Sequence, residues 1–223
     1  MEFEIVKNIA VIRFDDQKAN AIGPIFIDQL NSALDQALVD AEAVVLSGRT
    51  GMFSGGFDLN VFKKGPLASQ QLMLSGAQLL LRLFTLPLPL VVSCTGHAIA
   101  AGAFILLTAD TRIGTTGNFK VGLNETAINA TFPTFGSQLA LARLNPSYLT
   151  RSFVQAELFD PIEAIAAGFL DRAVGAETVL EESIEVAEQL ARLPTDAYVK
   201  NKLDIRSPYI HAIQESLGVD ESS

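Results

Sequence analysis

The sequence predicts an α/β fold, because short apolar segments alternate with longer segments of helical periodicity over most of its 223 residues. Hydrophobic residues make up 49% of the chain, which provides for a large core without disulfide bonds or metal ions. The net charge of −9 argues against a nucleic-acid partner, since such a partner requires a basic face on the protein. It does not exclude a phosphorylated small ligand, which a few local Lys or Arg residues can hold.

The order of the elements follows from local patterns. Residues 3–6 and 9–14 are predicted to form the two strands of a hairpin. Pro24 begins a helix, because the apolar residues after it recur at helical spacing. Further strands are predicted at residues 43–46, 90–93, 113 and 119–122, and further helices at 69–84, 98–108, 138–143 and 183–193, with a glycine-rich loop at 49–60 and a turn at Gly96.

The cysteine and histidine residues and the long apolar segment show which classes of protein are excluded. The single cysteine, Cys94, allows no intrachain disulfide and is expected to be a small buried residue. Of the two histidines, which lack metal-ligand spacing, His97 is expected to pack or cap rather than to catalyse. Residues 83–109 lack charged side chains, but prolines and glycines interrupt them, which favours buried elements over a membrane span. With no signal-peptide pattern at the N-terminus, we expect a cytoplasmic protein that binds no metal, membrane or nucleic acid.

Two glycine-containing turns, each between a strand and a helix, carry the candidate chemistry. Residues 53–59 have the sequence Phe-Ser-Gly-Gly-Phe-Asp-Leu, and residues 96–104 have the sequence Gly-His-Ala-Ile-Ala-Ala-Gly-Ala-Phe. Neither turn fits a phosphate-binding or dinucleotide-binding loop. Helix N-termini expose unpaired amides, so the two turns can direct two N–H groups at one oxygen, as in an oxyanion hole. The alternative is that the glycines serve only turns and close helix packing.

Four segments resemble, in order and spacing, the signature segments of the crotonase, or enoyl-CoA hydratase/isomerase, superfamily. They are residues 18–22 (Lys-Ala-Asn-Ala-Ile), 53–59, 96–110 and 119–125, the last followed by Phe132-Pro133. The resemblance extends from about residue 3 to residue 174. It implies a spiral of repeated β-β-α units over residues 1–145 and a helical trimerisation region over residues 146–223. It also implies an acyl-CoA thioester substrate, a homotrimer or a hexamer built as a dimer of trimers, and no cofactor beyond the coenzyme A of the substrate.

The resemblance also implies roles for particular residues. The backbone amides of Phe57 and Ala101 would hold the thioester oxygen, and Glu125 would be the acid/base group. The backbone of residues 18–21 would accept the adenine, and Lys18 would approach a phosphate. The residues expected to contact the substrate are Lys18, Ala19, Ala21, Gly55, Gly56, Asp58, Leu59, Ala98, Ala100, Phe104, Pro133 and Phe135. Independently of the resemblance, Asp58 is expected to cap the helix after it, and Asp110 with Arg112 to form an ion pair or a cap.

The sequence departs from the hydratase pattern at one position. Hydratases of the superfamily have two glutamates, and the first of them corresponds here to Phe104. With Glu125 as the single carboxylate, we predict isomerisation of 3-enoyl-CoA to 2-enoyl-CoA by a proton shuttle. The alternatives are an enoyl-CoA hydratase or thioester hydrolase that uses Glu125 and water, and an acyl-CoA binding protein without catalytic activity.

Overall fold

The computed structural model of the protein describes residues 1–218, so residues 219–223 of the predicted C-terminal region lie outside the description. The strands are β1 (Glu2–Val6), β2 (Ile9–Arg13), β3 (Ala43–Ser47), β4 (Gly51–Ser54), β5 (Leu90–Cys94), β6 (Gly96–Ile99), β7 (Thr111–Thr115), β8 (Val121–Gly122) and β9 (Arg172–Val174). The helices are α1 (Pro24–Asp40), α2 (Leu59–Phe62), α3 (Pro66–Phe84), α4 (Ala101–Thr108), α5 (Thr134–Arg143), α6 (Pro161–Ala167), α7 (Val179–Ala191) and α8 (Thr195–Leu217).

Two sheets organise the chain. The larger sheet has six strands in the order β1-β2-β3-β5-β7-β9, and only the β1–β2 hairpin in it is antiparallel. The smaller sheet has three parallel strands in the order β4-β6-β8. Three successive segments each give one strand to the larger sheet, one strand to the smaller sheet and then a helix. The predicted α/β class and the spiral of β-β-α units are therefore confirmed.

The central strands of the larger sheet are buried on both faces. On one face, alternating residues such as Val11, Val45 and Val91 pack against Ala187 of α7. On the other face, Val44 and the other residues that alternate with this first set pack in the main core, beneath the remaining helices. Burial on both faces explains why these strands are continuous apolar runs in the sequence.

The predictions around the smaller sheet were incomplete. The expected loop at residues 49–60 contains β4 and α2, and the expected turn at Gly96 is the first residue of β6. The helix predicted to begin at residue 98 begins at Ala101, because Ala98 and Ala100 donate backbone hydrogen bonds to Lys120 (3.0 Å) and Gly122 (3.0 Å) in β-sheet fashion. Glycine and alanine give these strands little β propensity of their own, so pairing with neighbours decides their conformation.

The C-terminal helix α8 is attached to the core by buried charges. Lys202 and Arg206 bind the two carboxylate oxygens of Asp110 at 2.8 and 2.7 Å. The expected pairing of Asp110 with Arg112 is wrong, since Arg112 instead binds Asp171 at 2.6 Å. No helix within residues 1–218 is long and apolar enough to cross a membrane.

Candidate active site

The three predicted catalytic groups follow the carboxyl ends of the three strands of the smaller sheet. Strand β4 ends at Ser54, β6 at Ile99 and β8 at Gly122, and Phe57, Ala101 and Glu125 each come within three residues of these ends. Because the strands are parallel neighbours, their carboxyl ends lie at one edge of the sheet. The structure thus brings the two amides and the carboxylate to the same edge.

The two glycine-containing turns face each other across a short gap. A Cβ atom added to Gly56 would lie 3.2 Å from the amide nitrogen of Ala101 and 3.0 Å from the Cβ of Ala100. Gly56 also has a φ of +96°, which a residue with a side chain rarely adopts. A glycine is therefore required here, and it places the amide of the next residue, Phe57, beside the start of α4.

The backbone amides of Phe57 and Ala101 are unpaired in the described part of the chain. Within residues 1–218, neither N–H group donates a hydrogen bond to another part of the chain. On either side of the Phe57 amide, the Gly56 carbonyl accepts from Ile22 (2.8 Å) and the Asp58 amide donates to Ile22 (3.1 Å), which fixes the backbone. Ala101 is the first residue of α4, where the positive end of the helix dipole strengthens a donor.

Ala100 holds a strained backbone conformation between β6 and α4. Its φ of 53° and ψ of −124° lie in a region that residues with a Cβ rarely occupy, at a cost of about 1–3 kcal/mol. Two backbone bonds hold the residue, because its N–H donates to Gly122 and its carbonyl accepts from Phe104 at 3.1 Å. The strained residue turns the chain abruptly from β6 into α4, so that Ala101 becomes the first residue of the helix.

Glu125 is a buried carboxylate with an unused oxygen. The residue is 8% exposed, and its Oε2 atom is buried without a hydrogen-bond partner in the described part of the chain. Burial raises the pKa of the carboxyl group to about 7, while hydrogen bonds from the backbone N–H groups of Glu125 and Asn124 act in the opposite direction. A carboxyl group with this pKa can both accept and release a proton near neutral pH.

An aromatic cluster lies one helical turn beyond Ala101. The ring of Phe104 makes edge contacts with Phe132 (6.3 Å between centroids) and Phe135 (5.8 Å), and Phe132 stacks on Phe153 at 3.7 Å. Phe104 is 2% exposed, and Gly136 leaves room for its ring, since a Cβ there would lie 2.7 Å from Phe104 Cζ. At this position the protein offers an apolar surface and no second carboxylate.

The loop of residues 18–21 is fastened to the first glycine-containing turn. The amide of Gly55 donates to the carbonyl of Ala19 (2.8 Å), and Arg49 Nε donates to the carbonyl of Lys18 (2.9 Å). Lys18 and Ala19 are exposed, whereas Ala21 is half-buried. The residues predicted to meet the coenzyme A moiety therefore lie beside the residues predicted to hold the thioester.

The side chain of Asn20 has a structural role in this site that the sequence analysis did not predict. Its Nδ2 donates to the carbonyl oxygens of Phe14 (3.1 Å), Met52 (3.1 Å) and Phe53 (3.0 Å), and its φ is 49°. It joins the loop to β4, just before the first turn. An asparagine within a row of small apolar residues is the available signal, because Asn tolerates positive φ and bonds to backbone groups.

The other residues predicted to contact the substrate lie at helix starts or in the core. Asp58 caps α2 by accepting from the Asn60 amide (2.9 Å), as predicted, and Leu59 and Pro133 begin or precede helices. Ala98 is fully buried in strand β6. His97 packs as expected, since its Nδ1 accepts from the Lys120 amide at 3.0 Å. Among residues 1–218, no group of three or more His, Cys, Asp or Glu residues is placed to hold a metal ion.

Comparison with known proteins gives a consistent family. The solved structure of an enoyl-CoA hydratase/isomerase family protein from Pseudomonas syringae is 39% identical, has a TM-score of 0.94, and the match covers 97% of this chain and 94% of that chain. An enoyl-CoA isomerase of Mycobacterium tuberculosis is 35% identical with a TM-score of 0.93, covering 97% and 95% of the two chains. A putative enoyl-CoA hydratase of Thermus thermophilus is 30% identical over 90% of this chain and 82% of its own length. The family model described as enoyl-CoA hydratase/isomerase matches residues 4–222, and the protein belongs to this family.

Proposed function

We propose that the protein converts 3-enoyl-CoA thioesters to 2-enoyl-CoA thioesters, with Glu125 as its single acid/base group. The observation that carries the proposal is the site's one buried carboxylate, with a pKa raised to about 7. It lies at the same sheet edge as two unpaired amides, and the resemblance to the superfamily places Phe104 at the position of one of the two hydratase glutamates. Among the similar structures, one M. tuberculosis protein is named an enoyl-CoA isomerase in one solved structure and a probable enoyl-CoA hydratase in another, so the site and not the names carries the proposal.

The proposed reaction moves one proton and shifts one double bond. The thioester oxygen accepts hydrogen bonds from the amides of Phe57 and Ala101, which stabilise the negative charge that develops there. The Glu125 carboxylate takes a proton from C2 of the substrate, and the electron pair passes into a dienolate that extends to C4. The same carboxyl group then returns the proton to C4, which leaves the double bond between C2 and C3. No atom is gained or lost.

Adding water across the double bond requires a further polar group in the site. Hydration requires water to be held and activated while a second group supplies or holds a proton. The buried ring of Phe104 and its aromatic neighbours offer no polar group for that purpose. A hydratase or thioester hydrolase that works with Glu125 and water is the second candidate, since hydratase names also occur among the relatives.

The remaining parts of the proposal concern binding and assembly. The adenine is expected at the loop of residues 18–21, with Lys18 near a phosphate, because this loop is bonded to the turn that carries Phe57. The acyl chain is expected to pass Phe104, Pro133 and Phe135. We further propose a cytoplasmic homotrimer or dimer of trimers, with residues 146–223 at the trimer contact, and no cofactor besides the coenzyme A of the substrate.

The test compares two substrates on one enzyme. With 3-enoyl-CoA the protein should form 2-enoyl-CoA, and with 2-enoyl-CoA it should form no 3-hydroxyacyl-CoA or free acid. Glu125→Gln should lose at least about 100-fold in isomerisation rate, because it cannot accept a proton. The exposed Glu42 gives a matched control, and Glu42→Gln should keep the parent rate.

Two results would count against the proposal. If Glu125→Gln retained full isomerase turnover, Glu125 would not be the acid/base group. Tight binding of acyl-CoA without any turnover would instead favour the binding protein.

A further inference from the structure

A second cavity lies at the end of α4 that is farther from the candidate active site. Ala101 begins this helix and Thr108 ends it, so about 12 Å separates the two ends. The cavity has a volume of about 440 Å³ and is bounded by α8, by Arg143 at the end of α5, and by Asp110. Its size falls within the range of cavities that hold small molecules, about 300–1,000 Å³.

The charged side chains around this cavity carry a net positive charge. Three cations, Arg143, Lys202 and Arg206, border it, together with one carboxylate, Asp110. Both oxygens of Asp110 are bound by Lys202 and Arg206, which are themselves only 8% and 6% exposed. These two cations donate their other hydrogen bonds to backbone carbonyl groups at the ends of neighbouring helices and strands. The charge of Asp110 is therefore already paired.

Arg143 is the cation of this cavity that forms no ion pair in the described part of the chain, although the charges of Asp171 and Asp110 lie near enough to attract it. Its Nη2 donates to the carbonyls of Ala109 (2.9 Å) and Asp110 (3.5 Å), and its Nε is buried without an acceptor. No carboxylate within residues 1–218 forms an ion pair with it, and no acceptor meets its Nη1. Burial, followed by repulsion from Arg112 and Arg206, lowers the pKa of Arg143 to about 10. The guanidinium thus carries a charge that its surroundings only partly compensate.

The walls of the cavity beside these charges are largely apolar, with Tyr198 and Asn201 as the polar exceptions. Leu193, Pro194 and Ile205 border it, and Leu193 and Ile205 remain exposed although both are large aliphatic residues. A ligand that fits both features has one negative group and a short alkyl part. A guanidinium keeps its charge, and the remaining Nη1 group of Arg143 can donate a charge-assisted hydrogen bond to a carboxylate oxygen.

We propose that this cavity binds a small organic carboxylate, whose charge pairs with Arg143 and whose alkyl part lies against Leu193, Pro194 and Ile205. Binding gives Arg143 the anionic partner that it lacks. It also covers apolar surface that is exposed in the single chain, which is favourable in proportion to the area removed from water. The site is separate from the proposed isomerase site, so its failure in a test would leave the proposed reaction untouched.

Isothermal titration with three probes tests the proposal on the full chain. Butyrate has the charge and the alkyl part, butyramide keeps the shape without the charge, and inorganic phosphate keeps a charge without the alkyl part. Butyrate should bind with a dissociation constant on the order of millimolar, as expected for so small a ligand. Butyramide and phosphate should bind at least about 10-fold more weakly, because each lacks one of the two interactions.

Variants of Arg143 assign the binding to this cavity. Arg143→Met should weaken butyrate binding by about 10- to 100-fold, as expected for loss of a charge-assisted hydrogen bond. Arg143→Lys keeps the charge and should bind with intermediate affinity, which provides a result even if the methionine variant folds poorly. The exposed Arg192 is a matched control, and Arg192→Met should bind butyrate like the parent protein.

Several outcomes would overturn the proposal. Equal binding of butyrate and butyramide would show that Arg143 does not recognise the charge. Stronger binding of phosphate than of butyrate would mean that the apolar wall plays no part. If no probe binds, the proposal is wrong. A lower number of subunits for Arg143→Lys, measured by light scattering, would then assign the cavity to a contact between copies of the chain.

Discussion

Replacement of Glu125 by glutamine should raise stability at neutral pH while it removes activity. The pKa of this carboxyl group is about 7 in the folded protein, against 4.5 for an unperturbed glutamate. The folded protein therefore binds the proton more tightly than the unfolded chain does. The difference corresponds to about 3 kcal/mol of unfolding free energy, which is fully present below about pH 4.5 and is lost as the pH rises through about 7. Glutamine cannot ionise, so the variant escapes this loss.

The assay is urea unfolding of both proteins between about pH 5 and about pH 8.5. Other carboxylates also titrate in this range, but they do so in both proteins, so the difference between the two unfolding free energies isolates Glu125. The variant should gain about 2 to 3 kcal/mol relative to the parent across the range, superimposed on a constant offset from the new amide group. Glu42→Gln, on the surface, should show no change in the difference with pH.

The reasoning would be refuted if the difference between Glu125→Gln and the parent stayed constant from acid to alkaline pH. That result would mean that the carboxyl group titrates alike in the folded and unfolded chains, as an exposed side chain does. A group with an ordinary pKa would be fully ionised at neutral pH. It would then be a poor donor in the second half of the proposed shuttle.

Three further predictions concern the candidate site and the residues that hold its loops in place. The value of kcat/KM for a 3-enoyl-CoA should rise with pH and reach half its maximum near pH 7, as measured by initial rates, because Glu125 must be ionised to accept the first proton. Gly56→Ala should lower kcat by about 100-fold or more, because the new Cβ meets Ala101 N at 3.2 Å and displaces an oxyanion donor; circular dichroism should show that the fold persists. Asn20→Leu should lower the unfolding free energy by about 2–4 kcal/mol in urea titrations, since three carbonyl groups lose their donor.

The sequence allowed prediction of the elements whose conformation is set locally. Proline at the start of α1 and helical spacing after it fixed that helix, and continuous apolar runs marked β3 and β5. The strands of the smaller sheet were harder, because β6 is Gly-His-Ala-Ile and runs without a break into the apolar helix α4. Periodicity cannot separate a short strand from an adjoining buried helix. Only the bonds to β4 and β8 distinguish them.

The candidate site was predictable where its conformation depends on local sequence, and not where it depends on distant contacts. The glycines of the first turn indicated close backbone approach, and the structure shows Gly56 against Ala101. The positive φ of Ala100 had no sequence signal, because alanine is not a residue that usually occupies that region. The ion pairs of Asp110 with Lys202 and Arg206 join residues more than 90 positions apart, so local patterns led to the wrong partner, Arg112.

The dipole of helix α4 acts at both ends of the helix, one at the candidate active site and the other beside Asp110. All eight of its residues are buried, so solvent does little to screen the partial charges at its ends. At the first residue, the positive end strengthens the Ala101 amide as a hydrogen-bond donor, which is the role that the proposed reaction gives it. At the other end, the carbonyls of Thr108 and Ala109 accept hydrogen bonds from Arg206, and Ala109 also accepts from Arg143. The cations neutralise the negative end of the helix, which would otherwise be buried without compensation. Loss of Arg206 should therefore act mainly on folding stability, whereas changes at the Ala101 end should act on the rate of reaction.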